Sequence, residues 1–196
     1  MTESCGQIYD AWDAEFARNR ELHGGRIRCG PGCSDCCRQL FQITEPEAAV
    51  ISRGMNDLEP ELATRLRERA QTYLTARADL YPAEAWGSLP PAGARVACPA
   101  LDLGSGTCQI YPFRPLICRK YGVPIWNPDR PGRVYACELN FAAGEAIDDG
   151  ALVQIQTSLH SRWKRLQSEY NEAGGFRQDE PMTIARAILG EPNALS

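Results

Sequence analysis

The chain has 196 residues, 43% of them hydrophobic and 23% charged, with a formal net charge of −4. That length suffices for one domain with a real core, and the composition is ordinary for a globular protein. The acidic balance argues against a dedicated nucleic-acid or anionic-membrane surface, and no apolar run is long enough to cross a bilayer.

Taken in order, the spacing of Ile8, Trp12 and Phe16 predicts a helix over residues 7–22. Gly24 and Gly25 stop it, and the stretch CGPGCSDCC follows at 29–37. Gly30, Pro31 and Gly32 favour a tight turn there. A helix begun at Cys33 would place Cys33, Cys36 and Cys37 on one face. Phe41 and Ile43 alternate with polar residues, which predicts a short extended piece over 39–43. Thr44-Glu-Pro-Glu47 is a capping box that opens a helix to about Arg53. Gly54 ends that helix, and Asp57 is placed to cap the next, over 58–80. Leu58, Leu62, Leu66, Ala70, Tyr73 and Leu80 form its apolar stripe, with Arg65, Arg67, Glu68, Arg69 and Arg77 mostly on solvated faces. Residues 82–95 carry prolines and glycines and predict a loop.

The second cysteine region, VACPALDLGSGTCQIYPFRPLICRKYG at 96–122, carries Cys98, Cys108 and Cys118, and Cys137 comes later. Gly104-Ser-Gly106 predicts the turn of a small β-hairpin with Cys98 and Cys108 on its arms. Pro112 and Pro115 flank a helical turn presenting Cys118. The expected fold is mainly α with a small β-hairpin. It is a single irregular cysteine-rich domain over 1–196, with a metal-binding core at 26–140 and flanking helices at 7–22 and 151–170.

The start, MTESCGQIYDAWDAEF, has neither the basic nor the apolar segment of a secretory leader, so a cytoplasmic location is expected. Thiols stay reduced there. Nine cysteines in such a compartment favour metal binding over a disulfide framework, and an odd number cannot all pair. The candidate ligands are Cys29, Cys33, Cys36, Cys37, Cys98, Cys108, Cys118 and Cys137, because thiolates are soft ligands for zinc, copper(I) or iron–sulfur clusters. Cys5 lies in no motif and is taken as a bystander, and His23 and His160 as surface or capping residues. Arg119 and Lys120 are expected to offset the charge of a four-thiolate centre, about −2 for zinc and for a [4Fe–4S] core alike. Adjacent Cys36 and Cys37 would point about 100° apart on an α-helix, so one ion rarely takes both. That spacing points to two neighbouring centres or to a wider multi-iron cluster.

These residues resemble a known family. The early cluster ending in Cys36-Cys37-Arg38, the Cys98-Pro99-Ala-Leu101 step and the string Cys108-Gln-Ile-Tyr111-Pro-Phe-Arg114-Pro115-Leu-Ile-Cys118-Arg119 resemble the CxxCxxCC cysteine-cluster family, described as zinc- or iron-chelating. The resemblance covers roughly 26–140, with one departure: three residues separate Cys29 from Cys33 where the family name implies two. It implies a bound metal centre, read here as an iron–sulfur cluster of the [4Fe–4S] type with a redox-linked role, and with a redox or protein partner that the sequence does not name. The alternative is a structural zinc module for protein interaction. A third reading, a methyltransferase-like enzyme, is implied only because a related module occurs in flagellin lysine N-methylases. Cys29-x3-Cys33-x2-Cys36 also resembles the radical S-adenosylmethionine motif. However, Asp35 stands where that motif has an aromatic residue, and the recurring strand–helix units of its barrel are absent from the pattern.

Overall fold

A computed structural model describes residues 3–82, 90–174 and 182–190. In chain order the elements are α1 (Cys5–His23), α2 (Glu45–Gly54), α3 (Pro60–Leu80), α4 (Leu116–Lys120), β1 (Ile125–Trp126), β2 (Val134–Tyr135), α5 (Leu152–Gly174) and α6 (Ile184–Leu189). The fold is mainly α with one small antiparallel hairpin, Ile125 facing Tyr135 and Trp126 facing Val134. The chain falls into two compact units, each assembled from two stretches of sequence.

The first unit takes residues 1–30 and 116–171. A capping box opens α1: the Ser4 N–H donates to Gln7 Oε1 at 2.9 Å and the Gln7 N–H to Ser4 Oγ at 3.3 Å. Ile8 and Trp12 are buried as expected, joined by Tyr9, whose ring lies 6.4 Å from that of Trp163 in α5. Glu15, a charged residue of the kind that favours solvent, is only 4% exposed. Its carboxylate accepts from Arg18 Nε at 2.7 Å, Asn19 Nδ2 at 2.8 Å and Gln156 Nε2 at 3.1 Å, so the buried charge is both paired and hydrogen-bonded. Gln156 also accepts from the Trp126 N–H at 2.7 Å, tying α5 to the hairpin.

The second unit takes residues 31–115 and 172–196. The capping box of α2 is present, with Glu47 Oε2 accepting the Thr44 N–H at 2.7 Å. α3 begins at Pro60, after a short 3-10 turn over Met55–Asp57, and Asp57 does not cap it. Its buried residues are Ala63, Leu66, Ala70, Tyr73 and Arg77. Leu80 is 44% exposed, so the inner face leaves the predicted stripe at both ends. α6 packs on both α2 and α3, and short Ala185 and Ala187 let it lie close. Ile43, in the predicted extended piece, bridges to Met182 just before α6. Of the predicted 82–95 loop, residues 83–89 lie outside the described residues, and 90–95 contain only a turn. The 151–170 helix is present as α5.

Candidate metal centre

In the second unit the two cysteine regions meet through their backbones. The Cys98 N–H donates to Cys37 O at 2.7 Å and the Val96 N–H to Arg38 O at 3.1 Å, while Arg95 pairs with Asp35 at 2.6 Å. At the other end Gly106, at φ +69°, lies so close that a Cβ there would come within 2.8 Å of Gly32 O. Only glycine combines that backbone with that approach.

The Cys98–Cys108 loop is narrower than the predicted hairpin. Its arms share a single bridge, Leu101 to Cys108, closed by Asp102 N–H to Thr107 O and Gly106 N–H to Asp102 O, each at 2.8 Å. Asp102 Oδ1 then accepts the Gly104 and Ser105 N–H groups at 3.0 and 2.8 Å. Two helices brace this loop. Arg69 of α3 donates to Leu101 O at 3.2 Å and to Gln109 Oε1 at 2.9 Å. The end of α2 presents Gly54 to the ring of Phe113, where a Cβ would come within 2.6 Å of the ring. Neither Arg69 nor Gly54 was singled out for the site by the sequence, since their partners lie far along the chain.

Cys36, Cys37 and Arg38 form a 3-10 turn, so the condition for a shared helical face, an α-helix begun at Cys33, is not met. The N–H groups of Cys37, Arg38 and Gln39 each reach three residues back at 3.1 Å. In that tighter turn the Cys36 and Cys37 thiols hydrogen-bond to each other. Cys33 sits half-buried in the loop before it.

Three thiols of this unit, those of Cys36, Cys98 and Cys108, resist ionising. The bond to Cys37 and burial push Cys36 far up. Burial pushes Cys98 up to about 12, with Cys108 and Cys36 adding to the rise. Burial also raises Cys108, against the pull of the Ile110 N–H and the Arg114 guanidinium. Yet the N–H groups of Ala100 and Leu101 point at the Cys98 sulfur and that of Ile110 at the Cys108 sulfur, the arrangement a thiolate needs. Sulfurs crowded together, supplied with N–H donors and costly to charge on their own, fit a thiophilic cation that offsets their charge. Among the described residues, no group of three or more Cys, His, Asp or Glu side chains is arranged to hold an ion as it stands.

Cys29, Cys118 and Cys137 belong to the first unit. Cys29 packs against a small apolar cluster of Ile27, Val123 and Phe141. Cys118 lies on α4, and Cys137 is 5% exposed in the loop after β2. Cys5 is in the first turn of α1. His23 packs edge-on against Phe141 at 5.2 Å, and His160 Nε2 lies 3.3 Å from Asp129. Arg119 donates to Asp13 at 2.6 Å and lies over Tyr9, while Lys120 lies over Trp12, so these cations tie α4 to α1. Arg77, expected on a solvated face, is 1% exposed, with Nη1 3.2 Å from the Tyr73 hydroxyl.

Residues 28–131 match the family model CxxCxxCC, whose description is "Putative zinc- or iron-chelating domain". No curated protein and no solved structure matches the chain.

Proposed function

This chain belongs to the CxxCxxCC family, matched over more than half of its length, and from that premise we propose an iron–sulfur protein of the [4Fe–4S] type with a redox-linked, electron-transferring role. One observation carries the reading: the Cys98 N–H donates to Cys37 O, Leu101 bridges to Cys108 across the loop, and N–H donors meet the Cys98 and Cys108 sulfurs. The candidate donors are all sulfur, which suits zinc and iron–sulfur clusters alike. Side-by-side Cys36 and Cys37 favour a cluster, whose separate iron corners can take neighbouring thiolates that one ion rarely takes together.

When bound, the cluster supplies one-electron chemistry at a potential set by its charge, its hydrogen bonds and its exposure. The chain's own residues set those last two quantities. The Ala100, Leu101 and Ile110 N–H groups stabilise charge on sulfur, Arg114 adds a cation near Cys108, and Arg69 holds the loop that carries the donors.

The ligands in this reading are Cys29, Cys33, Cys36, Cys37, Cys98, Cys108, Cys118 and Cys137. The partner is a redox protein in the cytoplasm, with no nucleic acid and no membrane. The inward turn of Arg69 and Arg77 on α3 supports the absence of a nucleic-acid surface, since two of its arginines are engaged with the protein itself. The test is anaerobic purification, a visible spectrum, and analysis of iron, zinc and sulfide. A brown sample with matching iron and sulfide is expected. A colourless sample with stoichiometric zinc and no sulfide would replace this reading with a structural zinc module.

A further inference from the structure

Two sulfurs of the second unit are in contact. Cys36 and Cys37 are consecutive in the 3-10 turn, and their thiols hydrogen-bond to each other. Both are half-buried, so a small solute reaches them. The turn is braced on either side. Its own N–H groups reach three residues back at 3.1 Å. The Cys98 N–H donates to Cys37 O at 2.7 Å, the Val96 N–H to Arg38 O at 3.1 Å, and Arg95 holds Asp35 at 2.6 Å. The fold, and not a chance encounter of two mobile side chains, keeps the pair together.

Two thiols in contact can give up two electrons together. An accessible thiol is the one that oxidises, and a neighbouring thiol traps the first product before it advances to an irreversible acid. Adjacent Cα atoms lie about 3.8 Å apart across a trans peptide, below the about 4.4–6.8 Å usual for a disulfide. A bond between these two sulfurs is consequently strained, and strained disulfides are the readily reduced, reversible ones. In the cytoplasm, the location expected from the sequence, bonds of that kind sense redox conditions and do not serve as struts.

We propose that Cys36 and Cys37 are a redox-modification site at which a hydroperoxide closes a disulfide in the metal-free chain. One sulfur, as thiolate, attacks the peroxide O–O bond, becomes a sulfenic acid and releases one water. The other sulfur attacks that acid, forms the S–S bond and expels its oxygen as a second water. Two thiols and one hydrogen peroxide give one disulfide and two waters, so two electrons and two protons pass from sulfur to oxygen. A disulfide offers no thiolate, and the same bond removes two candidate ligands at once. The oxidation step goes beyond the metal reading and needs no bound metal. Its consequence, a centre that refills only under reducing conditions, rests on that reading.

The test treats the full-length, reduced, metal-free chain with equimolar hydrogen peroxide, alkylates the remaining thiols and digests with trypsin. Cleavage after Arg28 and Arg38 isolates Cys29, Cys33, Cys36 and Cys37 on one peptide. That peptide should carry two unalkylated cysteines, be lighter by two hydrogens than its dithiol, and fragment to place the bond at Cys36–Cys37. A chain with both Cys29→Ser and Cys33→Ser should close the same bond. In concentrated urea the wild-type chain should close it at least about tenfold more slowly, because the turn that holds the pair is gone. A bond at Cys33–Cys36, a bond from this peptide to Cys98 or Cys108, or an equal rate in urea would overturn the proposal. Zinc uptake then reads the consequence. The oxidised chain should take up less zinc than the reduced one, and glutathione should restore the difference. A reduced chain that takes up no zinc overturns the metal reading and leaves the disulfide standing. An oxidised chain that takes up as much zinc as the reduced one overturns the link between this bond and the metal site.

Discussion

Replacing Gly122 by alanine tests the placement of the Cys29 sulfur without reference to any metal. Two costs are separable. A φ of +115° lies where side-chain-bearing residues rarely go, at about 1–3 kcal/mol. The added Cβ also comes under 3.0 Å from Cys29 Sγ, whereas non-bonded carbon contacts settle at about 3.5–4.0 Å. Relieving that overlap moves the sulfur or the turn, typically at about 1–3 kcal/mol. Gly132 provides the control, since it has φ +113° and nothing within 4 Å of its Cβ position. Gly132→Ala should therefore show the backbone cost alone, and Gly122→Ala about 2–6 kcal/mol in total. Urea denaturation of the reduced, metal-free chain, followed by the fluorescence of its four tryptophans, measures both. Two variants equal within about 0.5 kcal/mol would mean that the sulfur does not lie against the Gly122 turn.

Gly54→Ala puts a Cβ within 2.6 Å of the Phe113 ring, so about 1–3 kcal/mol of stability should be lost, read by the same denaturation. Asp149 tests the charge pairing of α1. Burial alone would raise its carboxyl, but the Arg18 guanidinium at 2.5 Å and the Ala151 N–H outweigh that and hold it below the ordinary 3.8. A depressed folded pKa contributes stability that is complete above the unfolded value and is lost as pH falls through the folded one. Asp149→Asn should lower stability at neutral pH and flatten the loss below about pH 4. An unchanged acid profile would remove Asp149 from the account.

What the sequence shows and hides follows from how far each interaction reaches. The Thr44–Glu47 capping box joins groups three residues apart, and both the motif and the helix behind it are read correctly. The same holds for α1 and for the turn at Gly104–Gly106. β1 and β2 pass unnoticed because two residues each leave no alternation to detect. Glu15 and Arg77 read as surface charges because their type favours solvent, and only tertiary partners such as Gln156 and Tyr73 bring them inside. The cysteine cluster is legible as chemistry, since four thiols in nine residues have no packing cause. Its geometry is not, because a 3-10 turn and an α-helix differ by one hydrogen-bond register. Asn140 carried no signal at all: its side chain bonds residues 18 and 111 positions away.

Removing the metal should open the cysteine segments of the second unit while its helices stay folded. The apolar core there includes Ile51, Leu66, Ala70 and Ile188, and among its buried described hydrophobic residues none is a cysteine. The Cys98–Cys108 loop is different. Its arms share one bridge, and a two-stranded unit of that size is marginal in water. Its sulfurs also resist ionising where they stand, so a cation must supply what drives them to charge. Structural metals contribute about 10–16 kcal/mol in small zinc domains, against about 5–15 kcal/mol of net stability for a whole protein. Anaerobic chelation followed by hydrogen exchange separates the two regions. The Cys98, Leu101 and Gln109 amides, bonded to Cys37, Cys98 and Ala100 carbonyls, should lose at least about tenfold in protection, the equivalent of 1.4 kcal/mol. The α2 and α3 amides should keep theirs. The opening should stop at Pro115, where the chain passes into the other unit. If the Cys98–Gln109 amides stay protected after the metal is gone, Arg69 and the Gly54–Phe113 contact hold the loop unaided, and the cysteines are not its fastening.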